Sequence, residues 1–154
     1  MKFRHALKRA EENGEVKKCK QEGYFLSSGV SIVSDDKTPS WTVIYTLEGG
    51  KKVVNVMVDK TVTVSREDKE LSPVSDKLLD VSSIKFDEVL KKARLFAGEF
   101  KKPVAKEIVS IHQEEFPVWK VVFITPALDV IVVQFNAETG EKVSSELTSL
   151  IMEK

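Results

Sequence analysis

The chain is poor in the residues that build chemistry. Its 154 residues include one cysteine and two histidines. A lone cysteine excludes an intrachain disulfide. Cys19 sits in Lys17-Lys18-Cys19-Lys20, where nearby ammonium groups favour thiolate, although a bystander thiol is the plainer reading. The histidines are scattered: His5 lies in a basic N-terminal stretch, and His112 lies beside Gln113, Glu114 and Glu115. A zinc site needs three or four ligands in matched geometry, and His112 with two glutamates falls short of one. No Gly-x-Ser-x-Gly elbow, phosphate loop or dinucleotide fingerprint occurs, so neither a nucleophilic triad nor nucleotide chemistry is indicated. The carboxylates are spread as on an ordinary surface, and no acid/base pair can be assigned. These absences point away from an enzyme, and no cofactor is expected.

Net charge is also missing. Lysine plus arginine (24) equals aspartate plus glutamate (24). A balanced chain has no global field to draw in nucleic acid or an anionic membrane. Basic clusters occur at Lys17-Lys18-Lys20, Lys91-Lys92-Arg94 and Lys101-Lys102. They lack the interleaved aromatics that stack bases and read as solvated helix faces. The first twenty residues hold seven basic residues and three glutamates. They are neither a signal peptide nor a membrane span, so a cytoplasmic setting and no membrane partner are expected. Three asparagines and three glutamines against 20 lysines lean towards the composition of a heat-stable protein.

What is present is periodic. Residues 1–13 read as a helix, with Phe3, Ala6, Leu7 and Ala10 on one stripe, and Asn13-Gly14 as a stop signal. Residues 15–23 are polar, and Glu15 to Lys20 extend that helix after a kink or form a loop. Strands are expected at 24–34, with a bulge or bend at Gly29, and at 41–47, 52–58 and 61–65. Turns are expected at 35–39 and 48–51. A polar linker follows, residues 67–84. Residues 85–100 form the clearest helix, with Ser83 as a candidate N-cap and Phe86, Val89, Leu90, Ala93, Phe96, Ala97 and Phe100 as its stripe. Four more strands are expected at 104–114, 119–125, 128–135 and 141–147, and the last residues trail along the sheet or curl into a short helix.

The two halves align. FRHALKRA at 3–10 matches FDEVLKKA at 86–93. Trp41 falls on Trp119, Val43 on Val121 and Tyr45 on Phe123. The expected organisation is a first repeat at 1–66, the linker at 67–84 and a second repeat at 85–154. Trp119, Val121 and Phe123 share one strand face and should meet the helix stripe of their own half.

The second half resembles a PepSY domain, within the wider cystatin-like fold. The residues that carry the likeness are Trp119-Lys120-Val121-Val122-Phe123, Val130 to Val133, and Asn136-Ala137-Glu138-Thr139-Gly140-Glu141-Lys142-Val143. Asn136 stands where the family usually has aspartate, and the first half lacks the Thr-Gly element. The resemblance implies an α+β fold of two tandem cystatin/PepSY-like units, each one helix packed on a four-stranded antiparallel sheet. It further implies a non-enzymatic binding or regulatory module that modulates a peptidase.

One pattern asks for more. Val118, Val122 and Ile124, interrupted by Lys120, make the other face of the Trp119 strand apolar too, and the next strand is apolar on both faces. A sheet covered on one side shows polar residues on the other. Either the sheets of the two halves pack together or run on as one, or the face meets a second copy or a partner peptide. Val118, Lys120, Val122 and Ile124 are therefore the candidate interaction face, and a protein partner or self-association is expected. The alternatives are an assembly protein joined through that face and a small-ligand binder with a pocket between helix and sheet. The nearly all-apolar helix-facing set argues for a filled core.

Overall fold

Among the described residues the periodicities resolve into three helices and eight strands. The structure, a computed structural model, describes residues 2–33, 40–47, 52–68 and 77–149. Helices α1 (Phe3–Glu12) and α2 (Gly14–Gln21) precede strands β1 (Phe25–Val33), β2 (Trp41–Thr46), β3 (Lys52–Val58) and β4 (Val62–Asp68). A 3-10 turn at Val81–Ser83 leads to helix α3 (Val89–Ala97), a second 3-10 turn at Gly98–Phe100, and strands β5 (Lys106–Gln113), β6 (Pro117–Ile124), β7 (Asp129–Asn136) and β8 (Lys142–Ser149). The turns expected at 35–39 and 48–51, much of the linker and the last residues lie outside the described residues.

The expected fold class is overturned. The eight strands form a single antiparallel sheet in the order β4-β3-β2-β1-β5-β6-β7-β8, carrying three short helices, rather than two tandem helix-on-sheet units. The reason is an edge. A four-stranded unit starting at β1 or β5 would leave that strand's backbone donors and acceptors unpaired. Here β1 and β5 pair with each other, from Ser28↔His112 to Val33↔Glu107. Strand order reads outward symmetrically from that pair, so β2 and β6, which carry the matched tryptophans, occupy equivalent places.

The helices lie on one face and stay over their own halves. α1 packs on β2 and β3, and α3 on β6 and β7. Phe3, Ala6, Leu7 and Ala10 of α1 are buried, as are Val89, Ala93 and Ala97 of α3. The alanines let each helix axis approach the sheet closely. Beneath them Val43, Tyr45, Val54 and Val56 in one half, and Val121, Phe123, Ile131 and Val133 in the other, are almost fully buried. Each such side chain stabilises the fold by about 1.5–3 kcal/mol. Tyr45 keeps its hydroxyl satisfied by donating to Glu11 Oε2 at 2.7 Å.

Local signals explain the remaining elements. Asn13 both ends α1 and starts α2, its side chain accepting from the Glu15 and Val16 backbone N–H groups. Helix α2 has no stripe, burying Val16 and Cys19, and is clasped to β4 by Arg66, which meets Glu15 and Glu22 at 2.8 and 2.9 Å. Ser83 is not the cap of α3; its hydroxyl binds Asp80, and α3 starts only after Glu88. In the 136–141 turn, Asn136 accepts from the Glu138 and Thr139 N–H groups, and Thr139 Oγ1 from that of Glu141. Gly140 supplies a φ of 81° there. The bulge in β1 falls between Leu26 and Ser28, not at Gly29.

Candidate functional site

Two helices centred on β2–β3 and β6–β7 leave the middle pair of strands less covered. Over β1 and β5 a cleft of about 360 Å³ opens between the N-terminal ends of α1 and α3. Its floor is aromatic. Phe3, Trp41 and Trp119 form one cluster, with ring centroids 5.2 Å apart for Phe3–Trp41, 6.3 Å for Phe3–Trp119 and 6.2 Å between the indoles. The three edge and tilted arrangements are those the ring quadrupoles favour. Val33 of β1 and Val109 of β5 continue the floor, and Ile84, with Val89 and Leu90 of α3, forms a wall.

The cluster depends on Gly29. The Phe3 ring lies close against that residue, so a β-carbon there would stand 2.4 Å from Phe3 Cε1. The glycine is a site of close approach, which lets the α1 aromatic reach across the sheet towards Trp119 of the other half.

Polar groups inside the cleft hold the fold. The Trp119 indole N–H donates to the Phe86 carbonyl at 2.6 Å. Ser31, buried on β1 opposite Val109, donates to the Ser40 carbonyl at 2.6 Å. Charge is confined to the lip, where Lys2, Arg4, Asp87, Glu88 and Lys91 are all exposed. Lys2 meets Asp87 at 3.5 Å, bridging the two helices. The Arg4 guanidinium donates to the Ile84 carbonyl, which fixes it at the mouth.

The face singled out from the sequence lies on the opposite side of the sheet. Val118 there is 1% exposed, and Lys120, Val122 and Ile124 are half-buried. Registers place Ile32, Ile108, Val122 and Val132 side by side across β1, β5, β6 and β7, and Ile32 is 50% exposed. The next row, Val30, Ser110, Lys120 and Gln134, is mostly polar. Of these four residues Val118 is buried, and the other three belong to a mixed row pattern wider than β6 alone.

Neither histidine approaches the cleft lining. His5 is exposed on α1, and His112 stands on the opposite sheet face with Nε2 3.7 Å from Glu114 Oε1. Among the described residues no group of three His, Cys, Asp or Glu side chains could hold a metal ion. Cys19 is buried, and burial pushes its thiol pKa up, against the thiolate its lysine neighbours would favour. The cleft residues missed from the sequence are Ser31, Val33, Ile84 and the lip charges. The one signal for the site was the matched tryptophan pair, which meets at the centre only once β1 pairs with β5.

No family model matches the chain, and no curated protein matches it. Among solved structures it is similar to a putative lipoprotein from Clostridium difficile, at 14% sequence identity and a TM-score of 0.59, covering 87% of this chain and 89% of that one. At that identity the likeness is one of fold. It overturns the cytoplasmic expectation, since a protein of this fold is described as a lipoprotein. Among the described residues no helix is long and apolar enough to cross a membrane.

Proposed function

We propose that the protein is a non-enzymatic binding module whose ligand seats in the cleft over the β1–β5 pair. The observation that carries this reading is the cleft itself, about 360 Å³ of open space above Phe3, Trp41 and Trp119. That volume lies in the range of small-ligand sites, roughly 300–1,000 Å³. The polar groups within it are engaged in holding helices and loops, which suits a receptor more than a reaction centre. The likeness to a lipoprotein supports a membrane-anchored or secreted setting.

The chain carries its own reporter, because both of its tryptophans line the cleft. Titration with the amphipathic anion 1-anilinonaphthalene-8-sulfonate should show energy transfer from tryptophan at one site per chain. Val33→Phe, which places a ring into the cleft, should abolish it, and the milder Val33→Met should weaken it. Saturable binding that survives both variants and is lost in Val122→Asp would place the probe on the opposite sheet face and sink the reading.

A second reading has its own observation, the Ile32–Ile108–Val122–Val132 row. Four neighbouring β-branched residues on an open sheet face suit stacking against a second copy. Small-angle scattering at rising concentration should then report a dimer that Val122→Asp dissociates; a monomer at every concentration would end it.

A further inference from the structure

The geometry points to an amphipathic anion as the ligand: an acyl chain of about ten carbons ending in a carboxylate, with its chain in the cleft and its head at the lip. This rests on the binding role proposed above. Three features of the cleft lead to it.

The interior has little to offer a polar group. Trp119 Nε1 and Ser31 Oγ already donate to carbonyls at 2.6 Å each. A ligand hydroxyl or amide carried inside would lose its water partners for little return. What enters is therefore apolar. A cleft of about 360 Å³ lies at the small end of ligand sites, roughly 300–1,000 Å³, which suits a single acyl chain of about ten carbons.

The lip sets the sign of the head. It carries three cations, Lys2, Arg4 and Lys91, against two carboxylates, Asp87 and Glu88. Lys2 and Asp87 already meet each other. Arg4 uses part of its five-donor fork on Ile84 and retains the rest for a carboxylate. A head of one negative charge neutralises the remaining excess. The first-turn N–H groups of α1 and α3, which receive no side-chain cap, add potential of the same sign.

The test uses the intact chain and its tryptophan emission, titrated below micelle formation with three probes of one chain length: decanoate, decan-1-ol and decylammonium. Decanoate should bind tightest, ahead of decylammonium by about fivefold to tenfold at low salt, narrowing as salt screens the exposed lip. Lys91→Glu, an exposed change, should cut decanoate affinity by about fivefold and leave decanol unchanged. Equal affinity for the three heads, or a preference for decylammonium, overturns the anion assignment while leaving the cleft as a binding site. No response to any of the three, together with 1-anilinonaphthalene-8-sulfonate binding unaffected by Val33→Phe, overturns the binding reading as well.

Discussion

Gly29→Ala probes the packing on which the cleft floor rests. The added methyl would stand 2.4 Å from Phe3 Cε1, 3.0 Å from Cδ1 and 3.3 Å from Cζ. Those atoms are the end of a side chain, so the ring can move in principle. Its freedom is limited because both indoles hold it, at 5.2 and 6.3 Å between centroids. Forcing a methylene into a packed core costs about 1–3 kcal/mol. Replacing a strand glycine by alanine returns about 0.5–1 kcal/mol through the unfolded chain. The net expectation is a loss of about 0–2.5 kcal/mol. In a Phe3→Ala background the clash is gone and only the gain remains, so the same substitution should stabilise by about 0.5–1 kcal/mol. Urea unfolding of the four variants of this cycle gives the coupling directly, with unchanged m-values showing that the unfolded state is common to all. The sign reversal is the signature. A Gly29→Ala cost of equal size in both backgrounds would refute the claim that the glycine exists to seat Phe3.

Other expectations follow from single contacts. Tyr45→Phe removes the hydroxyl that donates to Glu11 at 2.7 Å and should cost about 1 kcal/mol, measured by the same unfolding assay at pH 7. Burial, and then the Glu11 carboxylate, raise the Tyr45 pKa in the folded state. Its contribution is therefore complete below the ordinary tyrosine value near 10 and declines as pH rises above it; Tyr45→Phe should lack that alkaline decline. The hydrogen bond from Arg66 lowers the Glu15 pKa below 4.5. That stability is present above the ordinary value and lost as pH falls through the lower folded one. Arg66→Ala should make acid unfolding shallower and less sensitive to salt, and a midpoint-versus-pH curve superimposable on the parent's would contradict the clasp.

Strand identity was legible in the sequence because period-two patterns record which residues face the core. Residues 52–58 come out as read, and β2, β6 and β7 shift by one or two positions. The sheet's continuity was harder to see. Periodicity describes a strand's two faces and is silent on which neighbour it bonds, so β1 pairing with β5 left no mark in FLSSGVSIV. That strand in fact reads weakly, because Gly29 and Ser31 face the helices, where the Phe3 ring takes the room of a larger side chain. Helix α2 was left open between helix and loop for a similar reason: GEVKKCKQ has two buried residues and no stripe, and its start is set by the Asn13 cap. Resemblance led to helix-on-sheet units, and the nearly all-apolar helix-facing residues to a filled core. The ground under each helix is filled, and the open space lies between them, over strands that belong to different halves. A site made by joining halves cannot be found by reading either half alone. The apolar face of β6 was legible, yet its row partners Ile32, Ile108 and Val132 needed the register.

The central claim is that the joint between the halves is where this protein meets its ligand. The two indole N–H groups, of Trp41 and Trp119, provide two resolved signals in a ¹H–¹⁵N correlation spectrum of the intact chain. Titration with decanoate should shift both, together with the backbone signals of Val33, Val89 and Val109, along one saturating curve. Unmoved indoles with shifts confined to Ile32, Ile108, Val122 and Val132 would put binding on the opposite face of the sheet and contradict the account.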